Sequence, residues 1–193
     1  MRPIQRVPQA QQLPPALRDD SRIGNGIPRG NFMTVTITRS DTDPGGFRLT
    51  TELLVAEPQA AVFEFFADAC QLETITPPWL KFSVQTARPI AMQSGTLIDY
   101  RLRLHGIPIR WRSRISSWEP PFRFVDEQLK GPYRYWHHLH TFEATPQGTW
   151  VRDDVHYAML LGFVMHPLLV RRDLQRIFEF RRQVMSRIFT PVS

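Results

Sequence analysis

The sequence predicts an α+β fold in which an antiparallel sheet of about seven strands is covered by one long C-terminal helix. Three observations predict it. Short runs rich in β-branched and aromatic residues, separated by turn residues, fill residues 80–160 and read as a meander of antiparallel strands. One strand-like run and one helical run precede this meander, and a long amphipathic stretch follows it. Strands segregated from helices point to a layered α+β arrangement, and the final helix carries the one long apolar stripe able to cover the sheet.

Taken in order, residues 1–46 hold six prolines with scattered Gln, Gly, Asp and Arg and show neither helical nor strand periodicity, which predicts a flexible extension. The glycines of GNGIPRG in this segment follow no strand, so they do not form a phosphate loop. From Phe47, FRLTTELLV reads as the first strand, closed by Glu57 and Pro58. Pro58 suits the first turn of a helix, AAVFEFFADACQLETI, in which Val62, Phe65, Phe66 and Ala69 recur at helical spacing until Pro77 and Pro78 stop it. The strands LKFSVQTA, GTLIDYRLRLH, IPIRWRSRISSW, FRFVDEQLK, YRYWHHLHTFE and TWVRDDVHYAML come next. Their joints are turn residues: Ser94-Gly95, Gly106, Pro120-Pro121, Gly131-Pro132 and Pro146-Gln147-Gly148. From about Pro167 to Phe189 an amphipathic helix of about six turns carries Val170, Leu174, Ile177, Phe178, Val184, Met185 and Ile188 on one side. The folded domain is therefore expected over 47–190, with 191–193 as a tail.

The 193 residues suit one domain with a sizeable core, and a 42% hydrophobic composition with 13 Phe, 5 Trp and 4 Tyr excludes global disorder. The net charge of +6 is carried by arginine, since only Lys81 and Lys130 are lysines. It is unevenly placed. Residues 47–166 hold twelve basic and twelve acidic side chains, while the last 27 residues hold six Arg against Asp173 and Glu179. A nucleic-acid module would interleave basic and aromatic residues along one surface, whereas here the aromatics lie mostly in the neutral middle, so nucleic acid is not expected. One lone cysteine, Cys70, reads as a buried helix thiol and fits a reducing compartment. There is no secretory h-region at the start, and the longest apolar run, AMLLGFVM, is too short to span a membrane, so a soluble cytoplasmic protein is expected.

PQAAVFEFFADACQLETITPPWLKF resembles the first strand-to-helix passage of the START-like or SRPBCC superfamily of helix-grip proteins, with Gln71 where that pattern usually has Asn. GTLIDYRLRLHGIPIRWRSRISSWEPPFRFVDEQLKGPYRYWHHLHTFE is similar to the hairpin series of a bacterial ligand-binding subgroup of the same superfamily. The superfamily includes polyketide cyclases, lipid-transfer domains and coenzyme Q-binding proteins. The resemblance implies the helix-grip form of this fold, a curved antiparallel sheet wrapped around the long C-terminal helix with an apolar cavity between them, and it leaves open whether the chain binds, carries or transforms its ligand.

Alternation along the strands sorts side chains into two faces. The apolar sets place Trp136, His138, His140 and Phe142 on one face of their strand, and Val151, Asp153, Val155 and Tyr157 on one face of theirs. Likewise Tyr100 goes inward with Ile98, Leu102 and Leu104, Trp111 with Ile107, Ile109 and Ile115, and Asp126 and Gln128 with Phe122 and Phe124. The arginines of these strands fall outward. The expected ligand-binding set is Tyr100, Trp111, Phe124, Asp126, Gln128, Trp136, His138, His140, Asp153 and Tyr157, with Leu174 and Phe178 from the final helix.

Two readings of the polar members stand side by side. They form a self-satisfied core network, or they form the polar end of a lipophilic pocket. As an enzyme, the chain would use His138 or His140 with Asp153 for cyclase- or dehydratase-like acid–base chemistry. A protein-interaction module with a cavity filled by its own side chains is a further alternative. His138 and His140 point the same way, and Asp126 or Asp153 is available as a third ligand, yet an HxH pair alone is a weak signal, so no metal and no cofactor are expected. No GxSxG elbow is present. The arginines of the last helix allow transient contact with an anionic membrane, and no obligate protein partner is inferred.

Overall fold

The computed structural model describes residues 35–41, 46–159 and 169–189. Its strands are Thr36–Arg39 (β1), Gly46–Val55 (β2), Ser83–Val84 (β3), Leu97–Leu104 (β4), Ile107–Glu119 (β5), Arg123–Lys130 (β6), Tyr135–Thr145 (β7) and Gly148–Ala158 (β8). Helices Gln59–Ala67 (α1) and Gln71–Ile75 (α2) and a 3-10 turn at Pro78–Leu80 lie between β2 and β3, and Arg171–Ile188 (α3) follows the sheet. All eight strands join one antiparallel sheet in the order β1-β2-β8-β7-β6-β5-β4-β3. From β3 to β8, strands adjacent in sequence are also adjacent in the sheet, as short turns favour, and β8 then returns to pair with β2.

The sheet begins earlier than the sequence suggested. β1 lies inside the segment expected to be an extension, because Val35, Thr36, Ile37 and Thr38 form a short β-branched run whose Ile37 is buried opposite Leu49. The remainder of that segment, 1–34 and 42–45, lies outside the described residues, as do 160–168, with most of the AMLLGFVM run, and 190–193.

The expected continuous helix over 60–75 is two helices. Asp68 breaks it by leaving helical geometry and accepting the Cys70 backbone N–H at 2.9 Å, a local side-chain bond that competes with the helical one. Cys70 is consequently half-buried at the start of α2 rather than an interior helix thiol. LKFSVQTA contributes two strand residues only, since Lys81 turns into the left-handed region after the Pro78–Leu80 turn.

In β2, β7 and β8 the alternation is regular, burying Leu49, Thr51, Leu53 and Val55, then Trp136, His138, His140 and Phe142, then Val151, Asp153, Val155 and Tyr157. The expectation fails at two strand ends. Ile107 is 66% and Phe122 59% exposed, each in or beside a turn between strands. Helix α3 is held by Leu174, Phe178 and Met185. Each buried side chain contributes about 1.5–3 kcal/mol, against a few tenths for a surface pair such as Arg182 with Glu179. Apolar burial therefore fixes the helix on the sheet. The space between them is not filled: an open cavity remains there.

Candidate functional site

The cavity has a volume of about 180 Å³ and lies between α3 and the β4–β7 part of the sheet. Leu102, Leu104 and Ile109 of the sheet and Leu174, Ile177 and Phe178 of the helix make apolar walls. Its inner end is polar, formed by Tyr100, Ser113, Asp126, His138 and Arg181. A smaller cavity of about 30 Å³ lies on the other side of Tyr100 and Asp126, faced by Phe66, Ile98 and His140.

Strand register builds the polar end. His138 pairs across the sheet with Asp126 on β6, and His140 pairs with Asp153 on β8. Two residues apart on β7, both imidazoles project to the inner face, with ring centroids 3.7 Å apart. His138 Nε2 lies 3.0 Å from Asp153 Oδ1, and His138 Nδ1 lies 3.6 Å from Asp126 Oδ2. His140 Nε2 lies 3.4 Å from the same Asp126 oxygen, and its Nδ1 is 2.9 Å from Asp153 Oδ1 but off the hydrogen-bonding line. Thr51 donates to Asp153 Oδ2 at 2.8 Å. Ser113 accepts from Trp111 Nε1 at 3.0 Å and donates to Asp126 Oδ1 at 3.4 Å.

Charge decides how this cluster behaves. Burial alone would raise the Asp153 pKa, but the two imidazoles against it hold the carboxyl well below the usual carboxylate range. Asp126 is lowered in the same way, with His140 and His138 outweighing burial. Burial would lower His140, yet its contacts with Asp126 and Asp153 raise it, whereas His138 is lowered by burial and by the neighbouring His140. Burial pushes the Tyr100 phenol up, so it stays neutral. Two carboxylates thus face Arg181 and two imidazoles, of which His140 is shifted toward its charged form and His138 toward its neutral form.

Arg181 is the residue that sequence reasoning missed. Its side chain is only 12% exposed, its guanidinium lies 5.3 Å from the Phe178 ring centre, and its Nη1 is 4.0 Å from Asp153 Oδ1 with no hydrogen-bond acceptor. The arginines of the last helix, expected as a set to allow membrane contact, therefore do not all do so, since this one is buried. The signal was present, because position 181 falls between Phe178 and Met185 at the three- and four-residue spacing of the buried stripe. Ser113 was likewise overlooked although it shares strand parity with Trp111 and Ile115, and Thr51 although it lies opposite Asp153.

The structure brings Tyr100, Trp111, Asp126, Trp136, His138, Leu174 and Phe178 together around the main cavity. Others of the expected set lie elsewhere. Phe124 stacks on the His140 ring at 4.3 Å, and both face the smaller cavity. Asp153 lies behind the two histidines. Tyr157 is fully buried and stacks on Phe47 at 5.7 Å. Gln128 is spent on the following turn, donating to the Tyr133 carbonyl at 2.7 Å and accepting from the Tyr133 N–H at 3.2 Å. Among the described residues no helix is long and apolar enough to cross a membrane.

No protein of curated function matches this chain in sequence. Among solved structures it is similar to protein Ms6760 from Mycobacterium smegmatis, with 17% identity over 81% of this chain and 96% of that one and a TM-score of 0.57. It is similar to major latex-like protein 151 from Panax ginseng, with 10% identity over 77% of this chain and all of the other and a TM-score of 0.59. It also matches the di-domain ARO/CYC StfQ of the steffimycin biosynthetic pathway, with 13% identity over 72% of this chain and 49% of that one and a TM-score of 0.55. At such identities these likenesses concern the fold, the helix-grip arrangement of a curved sheet around a C-terminal helix. Residues 55–180 match the model of a family described as polyketide cyclase / dehydrase and lipid transport, and the chain belongs to that family.

Proposed function

We propose that the protein binds a small lipophilic molecule in the cavity between sheet and α3, and that it sequesters, carries or presents that molecule. One observation carries the reading: an apolar cavity ends on a buried Arg181 N–H that has no acceptor of its own. Buried polar groups are costly unless paired, so a ligand oxygen placed there gains a charge-assisted hydrogen bond of about 1.5–3 kcal/mol. The scale of the space also restricts the ligand. A dry cavity of about 150 Å³ holds benzene, so about 180 Å³ suits a one- or two-ring group or a short acyl segment.

The reading is tested by titrating the protein with naphthalene and with its methyl ketone while following tryptophan fluorescence, since Trp111 and Trp136 line the cavity. The ketone is expected to quench saturably and more tightly than naphthalene. Ile109→Trp, which fills the cavity, is expected to abolish both signals. Linear, non-saturating changes with both compounds would contradict binding.

A second reading, a cyclase- or dehydratase-like enzyme, is supported by the His138–Asp153 contact of 3.0 Å, which orients a neutral imidazole beside the cavity. His138→Gln separates the two: a binder loses affinity modestly, an enzyme loses turnover. Transient contact with an anionic bilayer belongs to the first reading. Beside Leu104 and Ile177 of the cavity wall, Arg103 and Arg176 flank the 49% exposed Trp79, over which Arg176 stacks at 5.3 Å. Exposed apolar side chains among arginines suit an interface of acidic headgroups and acyl chains. Salt-sensitive flotation with phosphatidylserine vesicles is the expected result, and no flotation at low salt would contradict it.

A further inference from the structure

We propose that Asp126, His138 and His140 form a binding site for a divalent transition-metal ion, of the zinc or iron(II) class, open on one side to the main cavity. The inference does not rest on lipophile binding.

The donor atoms already converge. His140 Nε2 and His138 Nδ1 lie 3.4 and 3.6 Å from Asp126 Oδ2, and ligating atoms of the three residues all fall within 4.8 Å of one another. Tetrahedral bonds of about 2.0–2.1 Å give ligand-to-ligand edges of about 3.3–3.4 Å, so two edges are close to those of an occupied site. Two imidazoles and one carboxylate are the donor set that zinc and non-haem iron(II) accept.

The far side of each ring is equally specific. His138 Nε2 and His140 Nδ1 face the same Asp153 oxygen at 3.0 and 2.9 Å, and Thr51 holds the other oxygen. Imidazole ligands characteristically give one nitrogen to the ion and the other N–H to a carboxylate that fixes ring orientation. The His138 contact has hydrogen-bonding geometry, while His140 Nδ1 stands at contact distance but off the hydrogen-bonding line.

Backbone register, not loop conformation, supplies the positions. Asp126 opposes His138, Asp153 opposes His140, and the two histidines are neighbours on one strand face, so four residues of three adjacent strands meet. Asp126 and His138 also line the main cavity. Three protein ligands with an open fourth position characterise catalytic rather than structural zinc. With both rings neutral, Asp126 and Asp153 supply two negative charges and Arg181 one positive charge. A divalent ion then leaves one net positive charge, which an anionic oxygen on a cavity ligand would neutralise.

The test uses the full, tag-free chain, stripped with EDTA and dialysed against zinc or cobalt(II). One equivalent of zinc per chain is expected by elemental analysis, and cobalt is expected to give the visible bands of a four- or five-coordinate site. Asp126→Asn and His138→Gln are expected to weaken retention at least a hundredfold, and Asp153→Asn about ten- to a hundredfold. His137 and His156 face each other across β7 and β8 on the outer side of the sheet, so His137→Ala with His156→Ala should retain the ion. Thermal unfolding in EDTA checks that each variant folds. No zinc or cobalt on the wild-type chain, retention by folded Asp126→Asn and His138→Gln, or loss with the outer-face pair would each overturn the proposal. If the inner variants do not fold, the wild-type cobalt spectrum decides alone. Lipophile binding measured in EDTA keeps this outcome separate from the cavity reading.

Discussion

Arg181 Nη1 stands 4.0 Å from Asp153 Oδ1, a contact between the middle of α3 and the middle of β8 that turns one arginine of a largely outward-facing set into the core. Its charge is offset by the cluster, while its N–H remains without an acceptor at the cavity's inner end. Arg181→Met keeps the length and removes the donor. Affinity for a ketone-bearing ligand is expected to fall about ten- to a hundredfold, from a charged hydrogen bond of about 1.5–3 kcal/mol. Affinity for the matching hydrocarbon should be unchanged by calorimetric titration, and an equal loss for both would show that Arg181 acts through packing.

Core and cavity should respond differently to truncation. Phe63 packs at 5.1 Å against Trp118 and at 5.4 Å edge-on against Phe142, away from the main cavity. Phe63→Ala is expected to cost about 3–5 kcal/mol in urea unfolding. Ile109, half-buried on the cavity wall, already borders empty space. Ile109→Ala should cost clearly less than a packed Ile→Ala change, below about 2 kcal/mol, and should change ligand affinity instead. Similar losses for the two variants would mean that the cavity is closed in solution.

The β7–β8 turn depends on Gly148. Its φ is +141°, and a Cβ there would lie 2.0 Å from the Val55 carbonyl oxygen, which is backbone and cannot swing away. Gly148→Ala is expected to destabilise by more than about 1 kcal/mol, read as a lower urea midpoint at unchanged slope. An unchanged midpoint would contradict the turn geometry.

In ion-free protein the cluster makes stability depend on pH in two directions. Asp153 is held well below its ordinary value of 3.8, so its contribution is complete above about pH 4 and is lost as pH falls through the lower folded value. His140 is raised above 6.5, so its contribution is complete below about pH 6.5 and is lost as pH rises through the higher folded value. His138, lowered, works against folding as pH drops below about 6.5. Urea unfolding in EDTA should therefore show a gap between wild type and Asp153→Asn that does not close from about pH 6 down to 4.5 and narrows only under stronger acid. A gap already closing between about pH 6 and 5 would contradict the depressed Asp153.

The inward faces of β2, β7 and β8 were legible because strict alternation survives wherever a strand is covered along its length, and this placed His138, His140 and Asp153 together inside. The division between cavity and core was not. Gln128 and Tyr157 have the right parity, but a turn backbone claims the first and Phe47 packs the second, and neither partner is visible in strand periodicity. Arg181 was hidden by its residue type, since an arginine among five others on a helix reads as solvated unless its place on the buried stripe is weighed first. β1 escaped because its four residues sit in a proline-containing segment and acquire meaning only through pairing with β2.

Native mass spectrometry of the full chain, gently purified from cells without detergent, tests lipophile binding most directly. The account predicts a mass above that of the polypeptide, released by organic extraction as a small lipophile bearing an oxygen acceptor, and reduced in Arg181→Met and Ile109→Trp. A wild-type protein at its bare polypeptide mass, with no saturable uptake of the naphthyl ketone, would contradict it.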